Sequence, residues 1–230
     1  MRNLNECAVS SLFGAGMTKT LWLCLAVLAL SLPRAMAGTE MTDTKEMKPL
    51  SCCSEKDWTF ELGSGVTFSN VRSGQPNQAY TIVPISLTAS LKLDDVSLDN
   101  FAGGVFRGYS EFYFRGDYEQ IVQGPENHYE GILFGPRYNF VQPGWKLVPY
   151  AEGGVGIGFA DSNPAWGGLG QDFNFSFEVG AGAKYNINDD WFVRLGVEYQ
   201  HVSNAGLSEP QFANHPIDAL GPKLSFGYAF

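Results

Sequence analysis

The fold of this chain is decided by residues 191–203, Trp-Phe-Val-Arg-Leu-Gly-Val-Glu-Tyr-Gln-His-Val-Ser. Odd-numbered positions are apolar or aromatic as far as Tyr199, whereas the even-numbered positions include charged and polar residues. Because successive side chains of a strand point to opposite faces, this pattern predicts a strand with one apolar face. The apolar phase continues into His201 and Ser203, so a base and a hydroxyl lie at the membrane boundary if that face contacts lipid.

The same alternation recurs about eight times along the chain and predicts the fold class. A strand with one apolar and one polar face suits a closed barrel that turns its apolar side to lipid, and aromatic residues at strand ends fit interface girdles. The sequence therefore predicts an all-β, eight-stranded antiparallel up-and-down transmembrane β-barrel. Its expected strands cover 58–68, 80–93, 105–121, 129–141, 146–160, 172–187, 191–203 and 217–230, with Trp58, Tyr129, Trp145 and Trp191 as girdle aromatics.

Charged residues of both signs fall in the inward phase of these strands. An eight-stranded lumen is narrow enough to be filled by side chains. Opposite charges there are expected to pair with each other and not to line an open pore. The predicted inward charges are Glu61, Arg107, Glu111, Arg115, Glu130, Arg137, Glu152, Glu178, Lys184, Arg194 and Glu198.

The two ends of the chain predict its destination. Residues 1–37 contain Lys19, an apolar run over 21–32 and a small-residue cleavage site, the organisation of a secretory signal peptide. Residues 38–57 are polar and predict a flexible periplasmic lead-in to a barrel over 58–230. The last strand alternates and closes on Phe230, which resembles the final-strand signal of bacterial outer-membrane barrels. That resemblance implies localisation in the outer membrane and recognition of Phe230 by the barrel assembly machinery.

Composition excludes some partners and cofactors. After residue 37 the chain has 12 basic and 23 acidic residues, a net charge of −11, which argues against nucleic acid as a partner. Cys52 and Cys53 are adjacent; they could bond another chain or be incidental, and we favour the second interpretation. The histidines have no ligand-like spacing with cysteines, so neither a metal nor another cofactor is predicted.

Turn lengths predict which end of the barrel faces outward. The tight turns over 141–145 and 188–190 are expected on the periplasmic side, because outer-membrane barrels have short periplasmic turns and longer external loops. The strand over 191–203 then runs upward. His201 and Ser203 are therefore predicted at the outer-leaflet end.

His201, Ser203 and Asp218 form the candidate catalytic site. A serine attacks esters when a nearby base takes its proton, and a third group that orients the base assists it. Asp218 has the lipid-facing phase of the last strand, and the preceding hairpin is expected to bring it near His201. Polar groups are expensive on a lipid-facing surface, although that cost falls near the rim. Their joint placement predicts an esterase acting on a lipid.

Residues 201–207, His-Val-Ser-Asn-Ala-Gly-Leu, resemble the signature of the lipid A 3-O-deacylase family (PagL type). Members of that family are eight-stranded outer-membrane barrels that remove the acyl chain esterified at the 3-position of lipid A. The resemblance implies His201 as the base and Ser203 as the nucleophile. It also implies Asn204 and the Gly206 backbone as oxyanion stabilisers, with lipid A or a similar outer-leaflet glycolipid as substrate.

The chain departs from the family pattern after this core. The family continues with Asn-x-Gly-x-Glu, whereas this sequence has Asn214, Pro216 and Asp218 at those positions, after a linker about three residues longer. An aspartate is one methylene shorter than the glutamate of the pattern. Glu209 and His215 are therefore alternative partners of the base.

Two other functions are compatible with the same barrel. One is a non-catalytic small barrel with a structural or adhesive role carried by its external loops. The other is a narrow-pore transporter, for which the charged lumen predicts little current.

Overall fold

A computed structural model of the chain describes residues 56–69, 79–98, 101–162 and 167–230. The predicted signal peptide over 1–37, most of the lead-in over 38–57 and the two cysteines lie outside the described residues. Within the described ranges, no helix has the length and apolar character needed to cross a membrane.

The described residues form nine β-strands, each antiparallel to its neighbours. Consecutive strands pair from β3 to β9. Both β1 and β2 pair with β3 on one side and with β9 on the other, which closes the sheet. The predicted eight-stranded antiparallel up-and-down barrel is therefore confirmed, with β1 and β2 as two segments of its first strand. The strands are Trp58–Gly65 (β1), Thr67–Ser69 (β2), Tyr80–Lys92 (β3), Gly108–Gln123 (β4), His128–Phe140 (β5), Leu147–Ala160 (β6), Phe173–Asn186 (β7), Trp191–Ser203 (β8) and Ile217–Ala229 (β9), and a 3₁₀ turn spans Phe101–Gly104.

The first barrel strand is interrupted at Val66, where the sequence predicted continuity. The Val66 amide donates to the carbonyl oxygen of Pro222 on β9 at 3.1 Å. Proline has no backbone N–H, so it cannot donate the return hydrogen bond of the ladder. The register is the same on both sides of the gap, because Gly65 pairs with Lys223 and Phe68 pairs with Leu220.

The predicted faces are largely confirmed, with one exception on β5. Apolar side chains of the predicted outward phase are exposed on every strand, and three of the predicted girdle aromatics are exposed. Tyr129, predicted in a girdle, is buried, and Glu130, predicted to point inward, is exposed. Because Tyr129 and Arg137 share one parity and are both buried, Glu130 has the outward phase. It lies near a strand end, where a lipid-facing charge costs little.

Paired charges fill the middle of the lumen, as predicted. Each of three buried arginines contacts two or three buried carboxylates, so the charges compensate each other across the barrel. The pairs are Arg115 with Asp117, Glu178 and Glu198, Arg137 with Glu61, Glu111 and Glu152, and Arg194 with Glu61 and Glu111.

The two ends of the barrel differ. We call the end with the turns after β5 and β7 the short-turn end; there Asn188 Oδ1 accepts the amide hydrogens of Asp190 and Trp191 at 2.9 and 2.7 Å, a side-chain turn that suits a tight hairpin. A cavity of 760 Å³ opens at this end. At the opposite end, the loop end, a buried cluster fills the interior. It contains Tyr80, Ile82, Ile121, Tyr129, Ala160, Leu169, Val202, Ile217 and Ala219.

Candidate active site

Strand pairing places His201 and Asp218 directly opposite each other. They are register partners of β8 and β9 at the loop end. His201 Nδ1 lies 2.8 Å from Asp218 Oδ1, with side-chain exposures of 39% and 16%. A carboxylate only accepts hydrogen bonds, so Nδ1 carries the proton and Nε2 is left as the free base. The structure therefore brings together the two side chains predicted as base and acid, on the outer face of the barrel.

Ser203 lies two residues further along the same face of β8. Its Oγ accepts a hydrogen bond from Asn214 Nδ2 at 2.9 Å and one from the Ala205 amide at 3.2 Å. Within the described part of the chain, no hydrogen bond joins Ser203 to His201. Catalytic hydrogen bonds are often long in the absence of substrate and shorten in the reactive complex. The hydroxyl thus lies on the same face as His201, two residues further along the strand, and receives hydrogen bonds from two N–H donors.

A tight turn follows Ser203 and determines where its neighbours point. Ala205 and Gly206 have positive φ angles of 55° and 80°, a left-handed conformation that costs a non-glycine residue energy. The Gly206 amide donates to Asn204 Oδ1 at 2.8 Å. Asn204 Nδ2 donates to Leu169 O at 2.6 Å and to Ser208 Oγ at 2.8 Å. Both groups predicted as oxyanion donors are thus engaged within the loop, and the donors that reach Ser203 Oγ are the Asn214 side chain and the Ala205 amide.

A buried carboxylate on a distant loop supports this turn. Glu126, between β4 and β5, is 2% exposed and accepts hydrogen bonds from Tyr80 OH and the Leu169 amide, both at 2.8 Å. Leu169 in turn accepts the hydrogen bond from Asn204. Gly168 has a φ of +90°, and a Cβ atom there would overlap the Glu126 carboxylate. The chain Glu126–Leu169–Asn204 therefore connects a loop more than 70 residues away to the residue next to Ser203.

The surroundings of the site on the outer face are apolar. Phe177 on β7 is the register partner of His201, and Phe175 is the partner of Ser203; both rings are exposed. Tyr199, on β8 with His201, donates its hydroxyl proton to Asp218 Oδ1 on β9 at 2.6 Å. The polar groups thus lie at the edge of a surface suited to hydrocarbon.

Two side chains that contact the site, those of Asn214 and Tyr199, have no role predicted from the sequence. Asn214 was recognised only as a position of the family pattern, and Tyr199 only as a member of the apolar face. The parity of Tyr199 and its separation of two residues from His201 were the available signals. The hydrogen bond from His201 to a carboxylate goes to Asp218, and Glu209 is an exposed loop residue. Among the residues that the structure describes, no group of His, Cys, Asp and Glu side chains has the arrangement of a metal site.

A second histidine–aspartate pair lies at the loop end on other strands. His128 Nδ1 is 3.6 Å from Asp161 Oδ1, between the start of β5 and the residue after β6. Burial raises the pKa of Asp161, but hydrogen bonds from the His128 and Asn127 amides and the Asn127 side chain outweigh it, so the pKa is lowered overall. This pair contains the same two side-chain types as His201 and Asp218, but neither residue lies on the strand that carries Ser203.

The chain is similar to known proteins over most of the barrel. The family model of the lipid A 3-O-deacylase (PagL) matches residues 97–228, which include His201, Ser203, Asn214 and Asp218. Lipid A deacylase PagL of Pseudomonas aeruginosa strain PAO1 is 31% identical over 80 residues, covering 34% of this chain and 44% of that protein. The matched stretch therefore spans less than half the length of this curated relative.

Two solved structures are similar to parts of this chain. The crystal structure of the outer membrane enzyme PagL covers 73% of this chain and 97% of its own, with a TM-score of 0.48 and 22% identity. Neisserial surface protein A covers 75% of this chain and 95% of its own, with a TM-score of 0.49 and 12% identity.

The family model matches more than half of the 230 residues. This protein is a bacterial outer-membrane β-barrel, and the chain belongs to the lipid A 3-O-deacylase (PagL) family.

Proposed function

We propose that this protein is a serine esterase that removes an ester-linked acyl chain from lipid A in the outer leaflet. The observation that supports the proposal best is the 2.8 Å contact between His201 and Asp218 beside Ser203, on the outer face of the barrel. The position of the cleaved ester, 3-O, is the one named for the family. A lipid substrate reaches such a site by lateral diffusion within the leaflet and does not need to enter the lumen.

The first half of the reaction forms an acyl-enzyme. His201 Nε2 takes the proton from Ser203 Oγ while Oγ attacks the ester carbonyl carbon. Asp218 accepts the Nδ1 proton in a hydrogen bond, orients the ring and stabilises the imidazolium that forms. The tetrahedral intermediate then collapses, the bond to the sugar oxygen breaks, and the imidazolium returns its proton to that oxygen.

The negative charge of the intermediate needs N–H donors close to the attacked carbonyl. We assign this role to Asn214 Nδ2 and the Ala205 amide, because they already reach Ser203 Oγ, at 2.9 and 3.2 Å. One such donor typically lowers the barrier by about 3–4 kcal/mol. Asn204 and Gly206, the donors predicted from the sequence, then act by shaping the turn that presents the Ala205 amide.

The second half of the reaction hydrolyses the acyl-enzyme. His201 removes a proton from a water molecule, which attacks the acyl carbon and releases the fatty acid, and Ser203 regains its proton. The position of the site near the loop end suits this step, because the sugar, the ester and water meet at the membrane surface.

The test is hydrolysis of purified lipid A by the detergent-solubilised barrel, followed by mass spectrometry of the lipid and of the released acid. We expect the loss of one ester-linked acyl chain with the wild type and no loss with Ser203→Ala. His201→Gln should also be inactive, whereas His128→Gln, a matched change in the second histidine–aspartate pair, should retain activity. An unchanged acylation pattern with the folded wild type would favour the non-catalytic barrel.

A further inference from the structure

One oxygen atom of Asp218 receives two hydrogen bonds. Oδ1 accepts the Tyr199 hydroxyl proton at 2.6 Å and faces His201 Nδ1 at 2.8 Å. Tyr199 is the register partner of Leu220, two residues closer to the short-turn end than the His201–Asp218 pair. The phenol therefore approaches the carboxylate from the membrane side, along the outer face of the barrel.

The hydrogen bond from Tyr199 lowers the free-energy cost of placing a carboxylate on a lipid-facing surface. Burial of a charge away from water is unfavourable unless hydrogen-bond donors compensate it. The neighbouring outward residues of β7, Phe175, Phe177 and Val179, carry no titratable group. Tyr199 thus supplies a donor to the carboxylate on the side where lipid would otherwise face it.

The contact also bears on the short side chain of Asp218. The family pattern has a glutamate at this position. The aspartate side chain is shorter than that of glutamate, so it reaches less far, and it has fewer rotatable bonds. Direct opposition of the strands brings the Cβ atoms of residues 201 and 218 to roughly 5 Å, which is within the reach of an aspartate. A second donor on the same oxygen then selects the side-chain rotamer that points at the imidazole.

We propose that Tyr199 is a positioning residue that acts through Asp218, so that the catalytic arrangement is Tyr199–Asp218–His201–Ser203. This inference rests on the proposed esterase function. Tyr199 does not touch the reacting atoms. Its hydroxyl holds the carboxylate in one orientation and, by donating a hydrogen bond, takes up part of the negative charge on Asp218 Oδ1. Both effects set the strength of the hydrogen bond between Asp218 and His201.

The kinetic test compares Tyr199→Phe with the wild type, using lipid A in mixed detergent micelles. Loss of a hydrogen bond to a charged group should lower kcat roughly 10-fold and leave KM unchanged. Tyr118→Phe is the control, because Tyr118 is an exposed tyrosine near the loop end of its own strand and its hydroxyl hydrogen-bonds to Gln120. In an Asp218→Asn background, Tyr199→Phe should change kcat less than twofold, because the group through which it acts is altered.

A spectroscopic measurement tests the contact without substrate. The proton on His201 Nδ1 should give a low-field NMR resonance, assigned by its loss in His201→Gln. Tyr199→Phe should shift that resonance, and Tyr118→Phe should not.

Three results would overturn the inference: a wild-type kcat in Tyr199→Phe, an equal fall in kcat with and without the Asp218 carboxylate, or an unshifted imidazole resonance. A folded wild type that leaves lipid A intact would instead refute the proposed function, and the resonance would still report whether Tyr199 acts on the Asp218–His201 pair.

Discussion

Replacement of Asp218 by asparagine tests the candidate site most directly. The amide is nearly isosteric but carries no charge, and it can accept the Tyr199 hydrogen bond only if its oxygen takes the position of Oδ1. If its NH₂ group faces His201, the imidazole must place its proton on Nε2 and can no longer act as a base. If its oxygen faces His201, the imidazolium of the transition state still lacks a counter-charge.

The magnitude follows from the observed geometry. The contact between His201 Nδ1 and Asp218 Oδ1 is 2.8 Å, and both groups are less than half exposed. Charge centres about 4 Å apart at an effective dielectric constant of about 20 attract each other by about 4 kcal/mol. Loss of that attraction in the transition state corresponds to a kcat lower by about 10³-fold. KM should change little, because the carboxylate does not contact the substrate.

The assay is the initial rate of fatty-acid release from lipid A in mixed micelles, with folding checked by the heat-modifiable migration of the barrel in gel electrophoresis. Glu209→Gln is the control, because Glu209 was the alternative acid in the loop. We expect that variant to retain the wild-type rate. A folded Asp218→Asn variant with a kcat within about 10-fold of the wild type, or a larger loss in Glu209→Gln, would refute the assignment of Asp218 as the acid.

Three further predictions address the oxyanion donor, the supporting loop and the lumen. Asn214→Ala should lower kcat about 10²–10³-fold with little change in KM, because it removes an N–H donor beside Ser203; a donor role is contradicted if single-turnover rates stay at the wild-type level. Glu126→Gln should slow deacylation while the barrel still folds, because the carboxylate accepts one hydrogen bond on each oxygen and the amide has only one oxygen. An unchanged rate would show that the loop holds the turn without the Glu126 carboxylate. Glu61→Gln leaves two buried arginines with less compensation and should lower the free energy of unfolding by about 3–5 kcal/mol, measured by urea titration in lipid vesicles. Glu130→Gln, a change at an exposed outward position, serves as its control, and equal effects of the two variants would argue against the lumen network.

The alternating pattern was sufficient to predict the barrel and the face on which the site lies. A strand offers only two faces, so hydrophobicity at the odd positions of β8 assigned His201 and Ser203 to the outer surface. The hairpin that follows brings β9 alongside, which made Asp218 the expected partner. The expectation was wrong at Tyr129 and Glu130 of β5, although alternation itself holds there: Tyr129 shares the buried parity of Arg137 and lies in the loop-end cluster, so Glu130 takes the outward phase.

Register and loop contacts required the tertiary structure. A shift of two residues between β8 and β9 would preserve every face but separate His201 from Asp218 by about 7 Å, so alternation alone cannot establish the contact. The position of Asn204 depends on hydrogen bonds between segments 35 and 43 residues apart, from Asn204 to Leu169 and from Leu169 to Glu126. Asn214 reaches Ser203 from within a single irregular loop. Short-range periodicity contains no information about such contacts. The sequence by itself determined the barrel and the outward side of the candidate site, because both follow from a two-residue repeat. Strand register and loop packing decided the contact between His201 and Asp218 and the donors that reach Ser203.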